Sequence, residues 1–180
     1  MTWTAPLTAT TNATFTAAQF NACVRDNLLE TEAALATSAG GLFISQGANS
    51  IAQRAVNSGA YSPYESTAST AYVDLPHPVA VGANTGTQAL VFWTCGEYNS
   101  SANATSLCSV AVSGISTAMA ASDDRAMSIG GLTAANVSVK RGMFNLFAGL
   151  TAGYNVFTLK YRVSAGTGFF GNRTLTVFPL

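Results

Sequence analysis

Charge is what this chain has least of. Lys, Arg, Asp and Glu make up 9% of its 180 residues, eight cationic and eight anionic, for a formal net charge of zero. An average soluble domain carries about 25% charged residues. Eight scattered cations build no face that could follow a phosphate backbone, so no nucleic-acid partner is expected. Histidine occurs once and cysteine three times, at Cys23, Cys95 and Cys108. Three cysteines make no disulfide framework. Their spacing matches no zinc motif, and the single histidine argues against a mixed Cys/His metal centre. Long apolar runs are missing as well. Nothing approaches the roughly 18–20 residues of a membrane span, and residues 1–15 lack the basic and apolar blocks of a secretory leader. The chain therefore reads as made in a cytoplasm, with its thiols reduced and no membrane partner. It has no phosphate-binding glycine loop and no dinucleotide fingerprint, and no cofactor is expected.

What is present is a 48% hydrophobic chain whose polar remainder is Ser, Thr, Asn and Gly. Such a surface has little charge to hold copies apart. Much of it is expected to be buried against other subunits, and a homo-oligomer follows from that.

Three regions are distinguished: residues 1–41, an extended arm and helix; residues 42–60, a connector; residues 61–180, a β-sandwich head. Thr16 and Gln19 have capping-box spacing. Phe20, Val24, Leu28 and Leu35 then fall near one stripe of a helix that Gly40 and Gly41 should end. Low charge and glycine make long regular elements unexpected in the connector. From residue 61 onward the pattern is about eight to ten strands with turn chemistry between them. The fold class is mainly β, an antiparallel β-sandwich or jelly roll behind an arm and one amphipathic helix.

Residues 61–67 and 70–75 read as the first strands, with Pro63 confining the former to an edge. Residues 88–98 and 106–113 read as a hairpin. Its symmetric register sets Cys95 against Cys108, Trp93 against Val110 and Val91 against Val112, all on one apolar face. Leu90, Phe92 and Ala111 make the opposite face partly apolar too. Residues 126–129, 137–140 and 143–148 are shorter candidates. Residues 154–163 alternate best, with Phe157, Leu159, Tyr161 and Val163 on one side. After a glycine-rich loop over 164–172, residues 173–178 form a last strand with Leu175 and Val177 inward.

Ala17-Ala-Gln-Phe-Asn21 and Val24-Arg-Asp-Asn-Leu28, behind Trp3-x-x-Pro6, resemble the N-terminal segment of many virion proteins of tailed phages infecting actinomycetes. Leu150-Thr-Ala-Gly153, Thr158-Leu-Lys-Tyr-Arg162 and Arg173-x-Leu-x-Val177 are similar to the end of small β-sandwich heads in phage fibre, minor tail and decoration proteins. The resemblance implies a structural role in a particle, attached through the N-terminal segment, with other virion proteins as partners and a trimer as the favoured state. It does not separate capsid from tail.

Candidate interface residues are Trp3 and Pro6 as a docking peg, Phe20, Val24 and Leu28 as an apolar stripe, and Arg25 with Asp26 as a polar contact between helices or a solvated pair. Phe169 and Phe170, with Tyr61, Tyr64, Tyr72 and Tyr98, are candidates for stacking on a host surface glycan or for core and interface. That is the alternative function, a carbohydrate- or receptor-binding module. An enzyme is not expected. His77 stands between two prolines without a nucleophile motif. Asp123 and Asp124 are adjacent, which suits loop carboxylates, or calcium ligands with Asn103 or Asn136, better than a glycosidase pair.

Overall fold

The structure, a computed structural model, describes residues 8, 11–12, 14–29, 36–48 and 50–180. They divide into two units, Met1–Ala55 and Val56–Leu180. Trp3, Pro6 and Leu35 lie outside the described residues, as does most of the expected arm.

In the first unit, α1 (Ala17–Phe20) begins with the expected capping box. Gln19 N–H donates to Thr16 Oγ1 at 3.3 Å, and Thr16 N–H donates to Gln19 Oε1 at 3.0 Å. The helix continues through a wide π-type turn over Asn21–Arg25 and a last turn, α2 (Asp26–Leu28). The expectation that glycine ends this helix at residues 40–41 is corrected. Residues 36–37 are already irregular, and Gln53 holds the next stretch. Its side-chain oxygen accepts from Thr37 N–H at 2.6 Å, and its amide donates to the Ser38 carbonyl at 2.5 Å. Gly40, at φ 77°, instead turns the chain into β1 (Gly41–Gly47), which pairs antiparallel with β2 (Ser50–Ala55). The connector is thus more regular than its glycines suggested, because Leu42, Phe43 and Ile44 on one strand and Ile51 on the other favour extended backbone, in a register that sets Ile44 against Ala52 and Ser45 against Ile51.

In the second unit the strands are β3 (Asn57–Tyr61), β4 (Glu65–Thr67), β5 (Ala80–Thr85), β6 (Gln88–Asn99), β7 (Ser106–Gly114), β8 (Ala126–Ile129), β9 (Val139–Ala148), β10 (Gly153–Val163) and β11 (Gly168–Pro179). Apart from the short β4, they pair as one long hairpin would: first with last, β3 with β11, then β5 with β10, β6 with β9 and β7 with β8. That hairpin is rolled up so that β11 also pairs with β6 and β10 with β7. The result is two antiparallel sheets, ordered β5-β10-β7-β8 and β3-β11-β6-β9. This is a jelly roll, the fold class read from the sequence.

The core is the inner face of both sheets. Val91, Trp93 and Cys95 of β6, Val110 and Val112 of β7, Phe157, Leu159, Tyr161 and Val163 of β10, and Leu175 and Val177 of β11 are all buried. Each large side chain so buried is worth roughly 1.5–3 kcal/mol of transfer free energy.

Four strand readings are corrected. The expected hairpin of 88–98 with 106–113 does not exist. β6 and β7 keep nearly those boundaries but lie in different sheets, so Cys95 is opposite Arg141 and Cys108 is opposite Tyr161 and Met127. The shared apolar face is real, because facing across a sandwich and pairing within a hairpin bury the same alternate positions. The strand read at 61–67 is an edge broken at Pro63. β3 and β4 both pair with β11, on either side of a bulge between Gly171 and Thr174. The sandwich therefore begins ahead of residue 61, at Asn57. Residues 70–75 contribute only the bridge of Val73 to Tyr161. The pieces at 137–140 and 143–148 are one strand, β9.

Candidate functional site

The register of the β3-β11-β6-β9 sheet sets its outward side chains in rows. Leu146, Leu90 and Phe178 form one row; Phe144, Phe92 and Thr176 form the next. The Phe92 ring lies 5.4 Å from Phe144 in a stacked pair and 5.4 Å from Phe178 edge-on. Nothing in the unit covers them: Phe144 is 64% exposed, Leu146 49% and Phe92 40%. Beyond this cluster the hydroxyls of Thr94 and Thr174 pair at 2.8 Å, and those of Ser58 and Thr176 at 2.9 Å. Self-paired hydroxyls ask little of water. The outward position of β9 beside Gly96 is Lys140, the one charged side chain in these rows.

The far end of the same face is aromatic as well. Tyr98 and Phe169 are opposed across β6 and β11, and their rings stack 4.5 Å apart at 7°. Tyr64 lies 5.5 Å from Tyr98. It is laid over Gly96 and Gly171, which face each other across the same strands; a methyl on Gly171 would stand 2.5 Å from the Tyr64 ring. Both positions must therefore be glycine for the tyrosine to lie flat.

The predicted site residues separate accordingly. Phe169 belongs to this outer face. Phe170 does not, and the expected glycine-rich loop over 164–172 is corrected: residues 168–172 belong to β11, and alternation gives Phe170 the core alternative, fully buried 4.9 Å from Tyr161. In the N-terminal unit Phe20, Val24 and Leu28 are exposed apolar side chains. Arg25 pairs with its own neighbour Asp26 at 2.8 Å in the open, a contact that contributes little. Trp3 and Pro6 lie outside the described residues. Asp123 pairs with Arg162 and accepts from Tyr72 Oη at 2.9 Å, and these bonds hold its carboxyl below the usual range.

Sequence reading missed a polar network inside the unit. Arg173, fully buried on β11, donates to Glu65 Oε2 at 2.7 Å and lies over the rings of Tyr61 and Tyr161. Glu65 also meets His77 Nδ1 at 2.5 Å, and His77 stacks on Tyr61. Burial pushes the Glu65 carboxyl up, but the His77 and Arg173 hydrogen bonds outweigh it and hold it below its ordinary value. His77 is thereby a structural partner of Glu65. Beside this network Cys95, Glu97 and Cys108 are buried with their Sγ and carboxylate atoms within 4.8 Å of one another. Among the described residues they are the set that brings three potential metal ligands together.

No protein-family model matches the chain, and no curated protein matches it. Solved structures do. A chain from the structure of infectious bursal disease virus, Gx strain, is 13% identical over 74% of this chain and 35% of that one, with a TM-score of 0.51. The Gt strain gives 10% identity over 74% and 36%, TM-score 0.49. Eiger TNF from S. frugiperda gives 13% identity over 71% and 92%, TM-score 0.46. This chain thus spans about a third of the virus chains it matches. At such identity the likeness to the Gx-strain chain shows a shared β-sandwich fold alone. Among the described residues no helix is long and apolar enough to cross a membrane.

Proposed function

We propose that this chain is a structural subunit of a virus particle, held to its neighbours through the outer face of the β3-β11-β6-β9 sheet and attached through its N-terminal segment. The observation that carries the reading is the exposed cluster of Phe92, Phe144 and Leu146, with half-buried Phe178 packed against Phe92, on a face almost without charge. An apolar patch rimmed by polar residues marks a protein contact. Its stacked rings and neighbouring paired hydroxyls suit a flat subunit interface better than a catalytic cleft, and no catalytic role is assigned. The jelly roll supports a particle role because the same fold occurs in a chain of a virus structure. The phage type, the actinomycete host and the choice among minor tail, fibre and capsid decoration rest on the N-terminal and C-terminal motifs alone. A homotrimer is the proposed state.

The second reading, a glycan- or receptor-binding head, is favoured by Tyr64, Tyr98 and Phe169, three adjoining rings at one end of the face. The two readings divide cleanly. The mass of the purified full chain should exceed that of a monomer, and immunolabelled particles should carry it. Leu28→Asp should abolish incorporation into particles while leaving the melting of the sandwich unchanged. A monomeric protein that is absent from particles but binds host cell-wall glycan would replace the first reading by the second.

A further inference from the structure

We propose that Cys95, Glu97 and Cys108 form a buried binding site for one thiophilic divalent cation of the zinc type. The inference is independent of the assembly role. β6 sends Val91, Trp93, Cys95 and Glu97 to the same inner face, so the strand's alternation drives a carboxylate into the core behind three apolar positions. Cys108 reaches the same point from β7 in the opposite sheet. Glu97 is fully buried, and neither carboxylate oxygen has a hydrogen-bond partner among the described residues. Buried polar atoms are nearly always partnered. Protonating Glu97 would remove its charge, but its hydroxyl would still find no acceptor. A cation between the three side chains satisfies the carboxylate and takes both sulfurs as ligands, in place of the Cys95 thiol's bond to the Gly96 carbonyl at 3.4 Å.

The geometry is close to what such an ion needs. Three atoms no more than 4.8 Å apart all lie within about 2.8 Å of a common point, against Zn–S of about 2.3 Å and Zn–O of about 2.0–2.2 Å. Small side-chain rotations close the difference. Two sulfurs and one oxygen select zinc over magnesium or calcium, which take oxygen sets. The three side chains supply three of the four tetrahedral positions. The ligands are anionic when bound. Zinc entry therefore releases the Cys95 and Cys108 thiol protons and the Glu97 carboxyl proton. The three anionic ligands and the dication leave one negative charge, and the buried Arg173 guanidinium is close enough to favour the Cys108 thiolate. Without the cation, burial pushes both the Glu97 carboxyl and the Cys108 thiol well up.

Because the site is sealed in the core, loading is expected during folding. The full chain should be produced in minimal medium containing zinc, or cobalt in its place, and purified in metal-free buffer. Elemental analysis should find about one metal per chain, the content of a single-ion site. The cobalt form should show thiolate-to-metal charge-transfer absorption. Cys108→Ser should lose the metal and the absorption. Glu97→Gln keeps the side chain's shape, so it carries the test if Cys108→Ser fails to fold. It should weaken retention against a competing chelator by about 100-fold, at the upper end of what losing even an outer partner costs. Cys23→Ser should change nothing. Folded wild-type protein without stoichiometric metal, equal retention by Glu97→Gln, or loss of metal in Cys23→Ser would each overturn the proposal.

Discussion

The two outer faces of the sandwich are built from the same alternation and end up chemically opposite. On the β5-β10-β7-β8 sheet the outward positions of β10 include Lys160 and Arg162. Each is met by an acid from a flanking loop: Lys160 Nζ lies 2.6 Å from Asp74, and Arg162 Nε donates to Asp123 at 2.9 Å while the guanidinium lies over Tyr72. These charges are met within the chain, although Tyr154 on the same side of β10 stays exposed. On the β3-β11-β6-β9 sheet the same outward positions carry Leu90, Phe92, Phe144, Leu146 and Phe178, of which Phe92, Phe144 and Leu146 are exposed among the described residues. A surface that stays wet keeps its ions; a surface awaiting a partner of low charge has none to desolvate. The proposed assembly contact accordingly uses the apolar sheet alone.

The most severe way to break the contrast is to remove β11, an internal strand of the apolar sheet that carries Phe178 of its outer cluster. β11 runs between β3 with β4 on one side and β6 on the other, and its inner side chains Leu175 and Val177 are fully buried. Deleting residues 174–180 removes two ladders of hydrogen bonds and opens two strand edges. Insoluble protein is expected, scored as loss of the soluble fraction. A soluble, cooperatively melting product would mean that the core does not depend on this sheet.

Next in size comes an ion pair compared with the ion pairs of the charged face. Arg173→Ala leaves Glu65 without its buried guanidinium, and breaking a buried pair costs about 3–5 kcal/mol. Urea denaturation should show that loss at neutral pH. The loss should shrink in acid. The Glu65 carboxyl is held below its ordinary value of 4.5, so its contribution is complete above that value and disappears as pH falls through the lower folded value. An acid-independent loss would show that packing of the arginine over Tyr61 and Tyr161, not the charge, is what matters.

Glu97 should behave with the opposite sign. Desolvation raises its carboxyl well above 4.5, with the Arg141 charge opposing weakly. In metal-free protein the unfolded chain ionises at the lower value while the folded chain keeps its proton. Stability therefore falls as pH rises above 4.5, up to the raised folded value. Glu97→Gln has no proton to lose, so metal-free variant and wild type should diverge as pH rises, the variant being the more stable at pH 7. Parallel melting curves from pH 5 to pH 8 would place Glu97 in contact with water.

How far the sequence foretold these features depends on the range of the interaction. Alternation in β10 and β11 placed Phe157 through Val163, Leu175 and Val177 inside, because a strand's own period decides that. The nested pairing was hidden. Val91, Trp93 and Cys95 face Cys108, Val110 and Val112 whether β6 and β7 pair or oppose, so the same apolar face supported a hairpin that does not form. Phe170 was placed on a loop because glycines flank the pair. Gly171 is there instead to admit the Tyr64 ring, a contact about a hundred residues away in sequence with no local signature. The outer cluster was half visible: Leu90 and Phe92 stood out, but Phe144, Leu146 and Phe178 join them only once the register is known. Glu97 was legible and missed, since it shares its parity with Cys95.

The smallest expected effect on stability is also the sharpest test of the comparison between faces. Phe144 is 64% exposed and lies against Phe92 in the outer cluster; Lys160 is paired with a half-exposed Asp74 across the sandwich. Neither Phe144→Ser nor Lys160→Ala removes buried structure, so each should shift folding stability by no more than about 0.5–1 kcal/mol. Their effects on association should differ. If the apolar sheet is the contact, Phe144→Ser replaces a ring that the neighbour must cover by a hydroxyl that needs water, and sedimentation should show dissociation to monomer at concentrations where the wild type is assembled. Lys160→Ala alters only the face whose charges are met within the chain, and its mass should match the wild type. Equal dissociation by both variants would spread the contact over both faces. Dissociation by Lys160→Ala alone would move it to the charged sheet and reverse the assignment.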